Sequence, residues 1–479
     1  MVSAITQFLY DYFGLEGKNT VIKREILAGV TNYFTLIYIV MLVPEVLIEC
    51  FPGATNIFGE INRASVVYEG MTASEVLVTL TTMSFIVAGI ASIIVGVVVN
   101  LPIVQGPSLV IATFVTYTIC KGFGYSYSQA LAIVFLSGVM FFILSITGAE
   151  EKIHSIIPEN IKYAVGAGIG LFITFNGLIK AHIIDFTAEG IKFFEFDKLH
   201  DYNTLSAFLA IAGVVFIVIL LKYHVHSAIF IGKVICIIAA IPLGLSHIGE
   251  GGFGYNFNIS KLAFDMDFVG LINVDGMSAF GTSVFTICVI VFALCIMDIF
   301  ETISMFIAMD SFVSETHMGI DDKKGIPKIL EVDAITTSIG AAMGITNVST
   351  YVESTTGIIE GGRTGFTSVV TGLLFILSVP LTPLMGLVPS AATATTLIVA
   401  GIMMTGVVTR IDFDDIAEAT PAILTMILMP LTNSILVGIA VGIIVYILIH
   451  LFLPRAKKVN LYLLILAVLF VIMLYFFPR

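Results

Sequence analysis

Three acids stand where the chain is otherwise apolar. Asp298 and Glu301 lie in the stretch 293–302, and Asp310 follows a little further on. Asp298 and Glu301 are three residues apart, so in a helix they share one face. A carboxylate at mid-membrane costs about 2.5–3.5 kcal/mol on insertion scales, and such acids face an interior site and serve ions, protons or ligands. Asp310 falls at the expected inner end of its helix, where solvent accounts for it. Asp298 is read either as a structural acceptor for a neighbouring helix or as part of a proton path. Glu301 is the stronger candidate for chemistry. A fourth acid, Glu353, follows the polar, β-branched run 344–351, and its plain alternative is a helix-start acid satisfying free N–H groups. No Lys or Arg lies near Asp298, Glu301 or Glu353 in sequence, so proton uptake belongs to their expected chemistry.

The same carboxylates can accept N–H bonds from a planar heterocycle while the N–H groups of a half-helix donate to its carbonyls or ring nitrogens. Two stretches predict such half-helices. Leu101-Pro102-Ile103-Val104-Gln105-Gly106-Pro107-Ser108 carries two prolines and a glycine at membrane depth, which precludes a continuous helix. A helix restarting after Pro107 places Ser108 and Leu109 at its positive end. Gly344-Ile345-Thr346-Asn347-Val348-Ser349-Thr350-Tyr351 is the second, with Thr350 and Tyr351 next to Glu353 and a short apolar turn ending at Gly361-Gly362. Each is expected to be a brief extended segment feeding a short helix. Either alone reads equally well as an ordinary kink; their matching positions favour a site. Tyr33, Phe34, Phe114, Tyr117, Phe300 and Tyr351 offer stacking faces.

These groups need a membrane-embedded frame, and the composition supplies one. Of 479 residues, 58% are apolar and 12% charged, about half the charge of a soluble domain. That excludes a cytosolic enzyme, a disordered chain and a nucleic-acid binder. Residues 76–120 and 364–409 contain no Asp, Glu, Lys or Arg, and each run is long enough to cross the membrane twice. The absence of period-two alternation makes the spans helical. They are placed at 26–48, 75–98, 103–120, 128–148, 159–181, 203–222, 226–246, 278–309, 328–344, 347–361, 364–386, 389–408, 412–430 and 432–453, and are called spans 1–14 below. The run 459–477 is read as an extra C-terminal helix, and 1–25 as a cytoplasmic N-terminal segment. With the N-terminus inside, inner segments collect most of the Lys and Arg, while outer ones hold only Arg63, Lys121, Lys180, Lys192, Lys198 and Lys261. A split at the acidic segment 247–277 leaves seven spans on each side, and an odd number inverts the second half relative to the first. Spans 3 and 10 then correspond, the arrangement in which interrupted helices build a transporter site. The five cysteines read as small core residues rather than a disulfide or metal framework. No cleaved signal peptide, metal or cofactor is expected.

At these residues the chain resembles a known family. Glu25-Ile26-Leu27-Ala28-Gly29-Val30-Thr31, Asp298-Ile299-Phe300-Glu301-Thr302, Asp333-Ala334-Ile335-Thr336-Thr337, Thr350-Tyr351-Val352-Glu353-Ser354-Thr355-Thr356-Gly357 and Gly361-Gly362-Arg363-Thr364-Gly365 resemble the adenine/guanine/hypoxanthine permeases. These are the azaguanine-transporter branch of the nucleobase–ascorbate symporters, and the likeness runs from about residue 18 to 475. The resemblance implies fourteen spans in two inverted repeats. A core domain would comprise 26–148 and 278–386 (spans 1–4 and 8–11), and a gate domain 159–246 and 389–453 (spans 5–7 and 12–14). It implies proton-coupled, elevator-like import of a purine base across the plasma membrane by a homodimer. Carried over by position, Glu301 contacts base and proton, Glu353 contacts the base, and Asp298 is the preceding acid. Ser108, Leu109, Tyr33, Thr350, Tyr351 and Phe300 complete the expected site, with Glu301, Asp298 and Glu353 its proton-coupling acids. Three departures weaken the identification of the base: Ala112 replaces an expected Asn, Val43-Pro44 stands for Asn-Pro, and Ser304-Met305 for Gly-Thr. Sodium in place of the proton stays open. So do an anion carrier of the same architecture, which Glu301 and Glu353 would oppose, and an intramembrane diacid enzyme using Asp298 or Glu301 with Asp333.

Overall fold

A computed structural model describes residues 2–453 except 56–60, 63, 149–157, 188–189, 194–201, 226, 246–257, 272–279, 314–324, 383–387 and 433, together with scattered positions of 463–474. The acidic segment 247–277 therefore lies mostly outside the described residues. Helix occupies each of the fourteen expected positions, as Ile22–Leu47, Ala73–Val99, Leu109–Thr113 running into Phe114–Gly122, Tyr127–Thr147, Glu159–Lys180, Tyr202–Lys222, Ala228–Ala240, Phe280–Val313, Gly325–Ala342, Thr355–Glu360, Gly365–Leu377, Ser390–Thr405, Ile416–Leu431 and Ile435–Phe452. Among the described residues, seven of these are long and apolar enough to cross a bilayer. Starts follow local chemistry. Thr72 with Glu75 and Ser126 with Gln129 form capping boxes at spans 2 and 4, and Asp415 and Ser434 cap spans 13 and 14. In the run 459–477, positions 463–464, 467–468, 470–471 and 474 are helical and the others lie outside the described residues.

Packing carries the inverted repeat. Span 2 packs on span 11 and span 4 on span 9; exchanging each span with its counterpart seven places away converts one contact into the other. Spans 6 and 12 likewise map onto 13 and 5, and spans 6 and 7 onto 13 and 14, while the 5–12 contact maps onto itself. Close approach depends on small residues, as membrane helices require: a Cβ on Gly89 would lie 2.8 Å from the Gly372 carbonyl, and one on Gly170 2.6 Å from that of Gly401. Spans 1–4 and 8–11 pack chiefly among themselves, as do 5–7 and 12–14, and span 1 reaches across to spans 7 and 12.

Some of the structure was not expected. The N-terminal segment contains a helix, Val2–Phe13, anchored where the Tyr12 hydroxyl and Asn100 Nδ2 meet the backbone carbonyls of Val97 and Phe13. Lys18 Nζ donates to Asn100 O at 2.9 Å; burial lowers its pKa, against the pull of Glu25. Short hairpins pair Val66–Tyr68 with Met71–Thr72 and Ile184–Thr187 with Gly190–Phe193. Lys180 corrects the charge count, because it is only 5% exposed and therefore is not a solvated loop cation; it pairs with Glu49 at 3.1 Å.

Candidate functional site

The two interrupted spans meet. Gln105–Pro107 and Val348–Thr350 pair as antiparallel strands, with Gln105 opposite Thr350, Gly106 opposite Ser349 and Pro107 opposite Val348. Two prolines break the first segment and a β-branched, polar run extends the second. Pairing then satisfies backbone groups that a broken helix leaves bare at membrane depth. Chain ends are tied as well: Ser108 N–H donates to Asn347 O at 3.3 Å, and Tyr351 N–H to Val104 O at 3.0 Å.

Beyond the strands each span turns helical. Ser108 caps the span 3 half-helix, its Oγ accepting the Ile111 N–H at 3.2 Å. The same hydroxyl lies 2.8 and 2.7 Å from the two carboxylate oxygens of Glu301, to which it donates. Glu301 thus sits at a helix N-terminus, where the dipole favours negative charge. Glu353 opens the span 10 helix. Its Oε1 accepts from the Tyr38 hydroxyl at 3.3 Å, and its buried Oε2 has no hydrogen-bond partner among the described residues. The two glutamates lie within electrostatic reach of each other.

Exposure divides the four acids. Glu301 and Glu353 are partly accessible, whereas Asp298 and Asp333 are 2% and 0% exposed. Asp298 accepts from Asn347 Nδ2 at 2.9 Å and from the Thr337 hydroxyl at 3.0 Å. Asp333 accepts from Gln105 Nε2 at 2.8 Å and from the Thr302 hydroxyl. Gln105 also reaches the Thr350 hydroxyl oxygen at 3.2 Å, and its carbonyl accepts from Thr336 at 3.2 Å. These two aspartates bolt the strand pair to spans 8 and 9. Each has its own set of hydrogen-bond donors.

The remaining expected residues divide too. Ser108 touches Glu301, and Leu109 and Thr350 are buried at the junction. Tyr351 is buried and donates to Pro107 O at 2.8 Å, so it ties the two broken spans together. Tyr33 is buried, its ring edge-on to Phe34 and tilted against Phe375, and its hydroxyl bonds Ser378. Phe34 is 44% exposed on the periphery and Phe114 is fully buried, while Tyr117 packs edge-on to Phe172. The side chains of Phe300 and Asp310 lie outside the described residues.

Three participants were missed by sequence reasoning: Tyr38, Gln105 and Asn32. Asn32 Oδ1 accepts the Gly357 N–H at 2.8 Å, holding span 1 on the span 10 helix. Gln105 had a signal, an amide beside a proline break in a charge-free run; Tyr38 had none. Gly106 is a critical position, since an added Cβ would lie 2.7 Å from the Tyr351 hydroxyl oxygen. Gly106→Ala is expected to cost about 1–3 kcal/mol by overpacking. A thermal melt in detergent checks it, and an unchanged midpoint would mean that the strand pair is looser than described.

The profile described as "Permease family" matches residues 23–441. A permease of Methanocaldococcus jannaschii is 34% identical, with 97% of this chain and 98% of the relative covered. The guanine/hypoxanthine permease PbuG of Bacillus subtilis is 31% identical, covering 94% and 95%. The adenine permease AdeQ of Escherichia coli is 28% identical, covering 96% and 94%. Among solved structures, the murine solute carrier 26 family member A9 anion transporter in its inward-facing state superposes with a TM-score of 0.56 at 12% identity, covering 90% of this chain and 69% of that one. At that identity the likeness concerns the fold.

Proposed function

We propose that this chain, which belongs to the permease family matched over residues 23–441, imports a purine nucleobase together with a proton. One observation carries the reading: two half-buried acids, Glu301 and Glu353, stand at the junction of two strand-paired, half-helical spans. Carboxylates accept the N–H edge of a purine, and the first N–H groups of the span 3 half-helix donate to its carbonyl or ring nitrogens. The relatives named for adenine and for guanine and hypoxanthine support this substrate class.

In the proposed cycle the site opens to the outside and Glu301 or Glu353 takes up a proton. The base binds between the half-helices, replacing water at the Ser108 end. Spans 1–4 and 8–11, the core, then slide against spans 5–7 and 12–14, the gate, and release both inside. A membrane potential supplies about 2.3 kcal/mol per charge per 100 mV to such import. Asp298 and Asp333 act here as scaffold, holding the strands in place while the glutamates change protonation. The protein would sit in the plasma membrane as a homodimer with its N-terminus inside.

The test is a thermal-shift screen of the full chain. Adenine, guanine, hypoxanthine and xanthine are compared with uracil, sulfate and bicarbonate. A ligand at a hundred times its Kd stabilises the folded state by about 2.7 kcal/mol, so one or more purines should raise the midpoint. A shift by sulfate or bicarbonate with none by purines would replace this reading with anion transport.

A further inference from the structure

A second set of buried charges lies away from the glutamate junction, between the two packing groups. Glu45 and Glu49 stand one turn apart at the far end of span 1. Lys233 Nζ of span 7 contacts both Glu45 oxygens at 3.0 and 3.1 Å, with the two residues 1% and 2% exposed. Lys180 Nζ, at the end of span 5, meets Glu49 Oε1 at 3.1 Å and the Glu45 carbonyl at 3.3 Å. Lys121, just after span 3, meets the other Glu49 oxygen and is 42% exposed.

The near end of span 1 is held differently. A Cβ on Gly29 would lie 2.7 Å from Val370, and Glu25 accepts the backbone N–H groups of Arg363 and Thr364, so there span 1 is locked to span 11 within one group. Shape-locked helices of one group move together. The far end instead meets spans 5 and 7 through pairs whose attraction is strong in a dry setting and falls away once water enters. A slide of span 1 past the gate cannot preserve two N–O contacts near 3 Å.

We infer that Glu45–Lys233 and Glu49–Lys180 form a two-pair latch that selects the present arrangement of the two groups and must open once in every transport cycle. The inference rests on the proposed sliding of core against gate. It assigns Glu45 and Lys233 a conformational role and no contact with the base.

A single substitution strands one buried charge and risks misfolding. The test therefore uses the neutral pair Glu45→Gln with Lys233→Met, and the swapped pair Glu45→Lys with Lys233→Glu. Spin labels at Ile143→Cys on span 4 and Val218→Cys on span 6, both exposed, are placed in an otherwise cysteine-free full chain in lipid nanodiscs. Their separation is measured by pulsed electron resonance with and without guanine. In the neutral pair the ratio of the second distance population to the first should rise about tenfold over the parent, within the range of ordinary conformational coupling. The swap should restore the parent ratio. If the neutral pair does not fold, Glu49→Gln with Lys180→Met tests the same claim. An unchanged neutral pair, in a protein whose distances still respond to guanine, would overturn the latch and leave the sliding intact. Distances that respond to no variant and no ligand would overturn both.

Discussion

Glu301→Ala is expected to reduce purine uptake about tenfold to a hundredfold. A hydrogen bond to a charged group is worth about 1.5–3 kcal/mol, and each 1.4 kcal/mol is a factor of ten in affinity. Alanine removes the proposed acceptor for the base, and it also leaves the Ser108 hydroxyl without its carboxylate acceptor, which weakens the half-helix end rather than the affinity. Glu301→Gln separates binding from coupling. Its carbonyl still accepts from Ser108, yet the amide cannot take up a proton. This variant should exchange labelled base across proteoliposomes while failing to accumulate it under an imposed pH gradient. Retained pH-driven accumulation by Glu301→Gln would take Glu301 out of the proton step, and undiminished uptake by Glu301→Ala would take it out of the mechanism. Glu353 offers the internal comparison. Its Oε2 has no hydrogen-bond partner among the described residues, and its replacement by Gln should weaken base binding; pH-driven accumulation of the residual flux then assigns the proton to Glu301, and its loss assigns the proton to Glu353.

The sequence made the frame readable because a bilayer leaves few choices. Charge-free runs read as helical spans, and seven on each side of a polar segment invert the second half; the exchange of the 2–11 contact for the 4–9 contact agrees with that inversion. Prolines at 102 and 107 and the β-branched run near 348 likewise announced two extended segments at matching depth. Pairing between them was not announced, because register depends on side chains from spans 8 and 9, and nothing local couples Gln105 to Asp333 across 228 positions. Aromatic roles were the least legible. Tyr33 and Tyr38 lie on the same apolar helix, and only the packing of span 11 decides that Tyr33 meets Phe375 while Tyr38 turns to Glu353. Buried pairs such as Glu45 with Lys233 were hidden for a related reason: a charge count by sequence position treats every cation near a span end as solvated, and Lys180 shows the error.

Glu25→Ala is expected to produce the largest loss of stability of any single change considered, about 3–5 kcal/mol. Glu25 is fully buried in the first turn of span 1. Its carboxylate accepts the backbone N–H groups of Arg363 at 2.9 Å and Thr364 at 3.2 Å. The hydroxyls of Thr20, Thr364 and Thr367 donate to it at 2.8, 2.8 and 2.6 Å. Hydroxyls can rotate to other acceptors, but the two N–H groups are fixed by the turn after Gly361 and by the start of the span 11 helix. Each buried donor left bare costs about 1–3 kcal/mol, and the negative charge at the N-terminus of span 11 is lost as well. Glu25→Gln keeps one acceptor oxygen but turns an amide toward donors, so it should fall between alanine and the parent. Thermal melts rank the three proteins, and amide hydrogen exchange at Arg363 and Thr364 reports the bonds directly. Because span 11 packs against spans 1 and 2, the weakening should spread through that group and leave exchange in span 12 unchanged. Melting and exchange that are both indifferent to Glu25→Ala would mean that this carboxylate does not hold the end of span 11, and the rigid packing assumed for the sliding group would lose its firmest polar anchor.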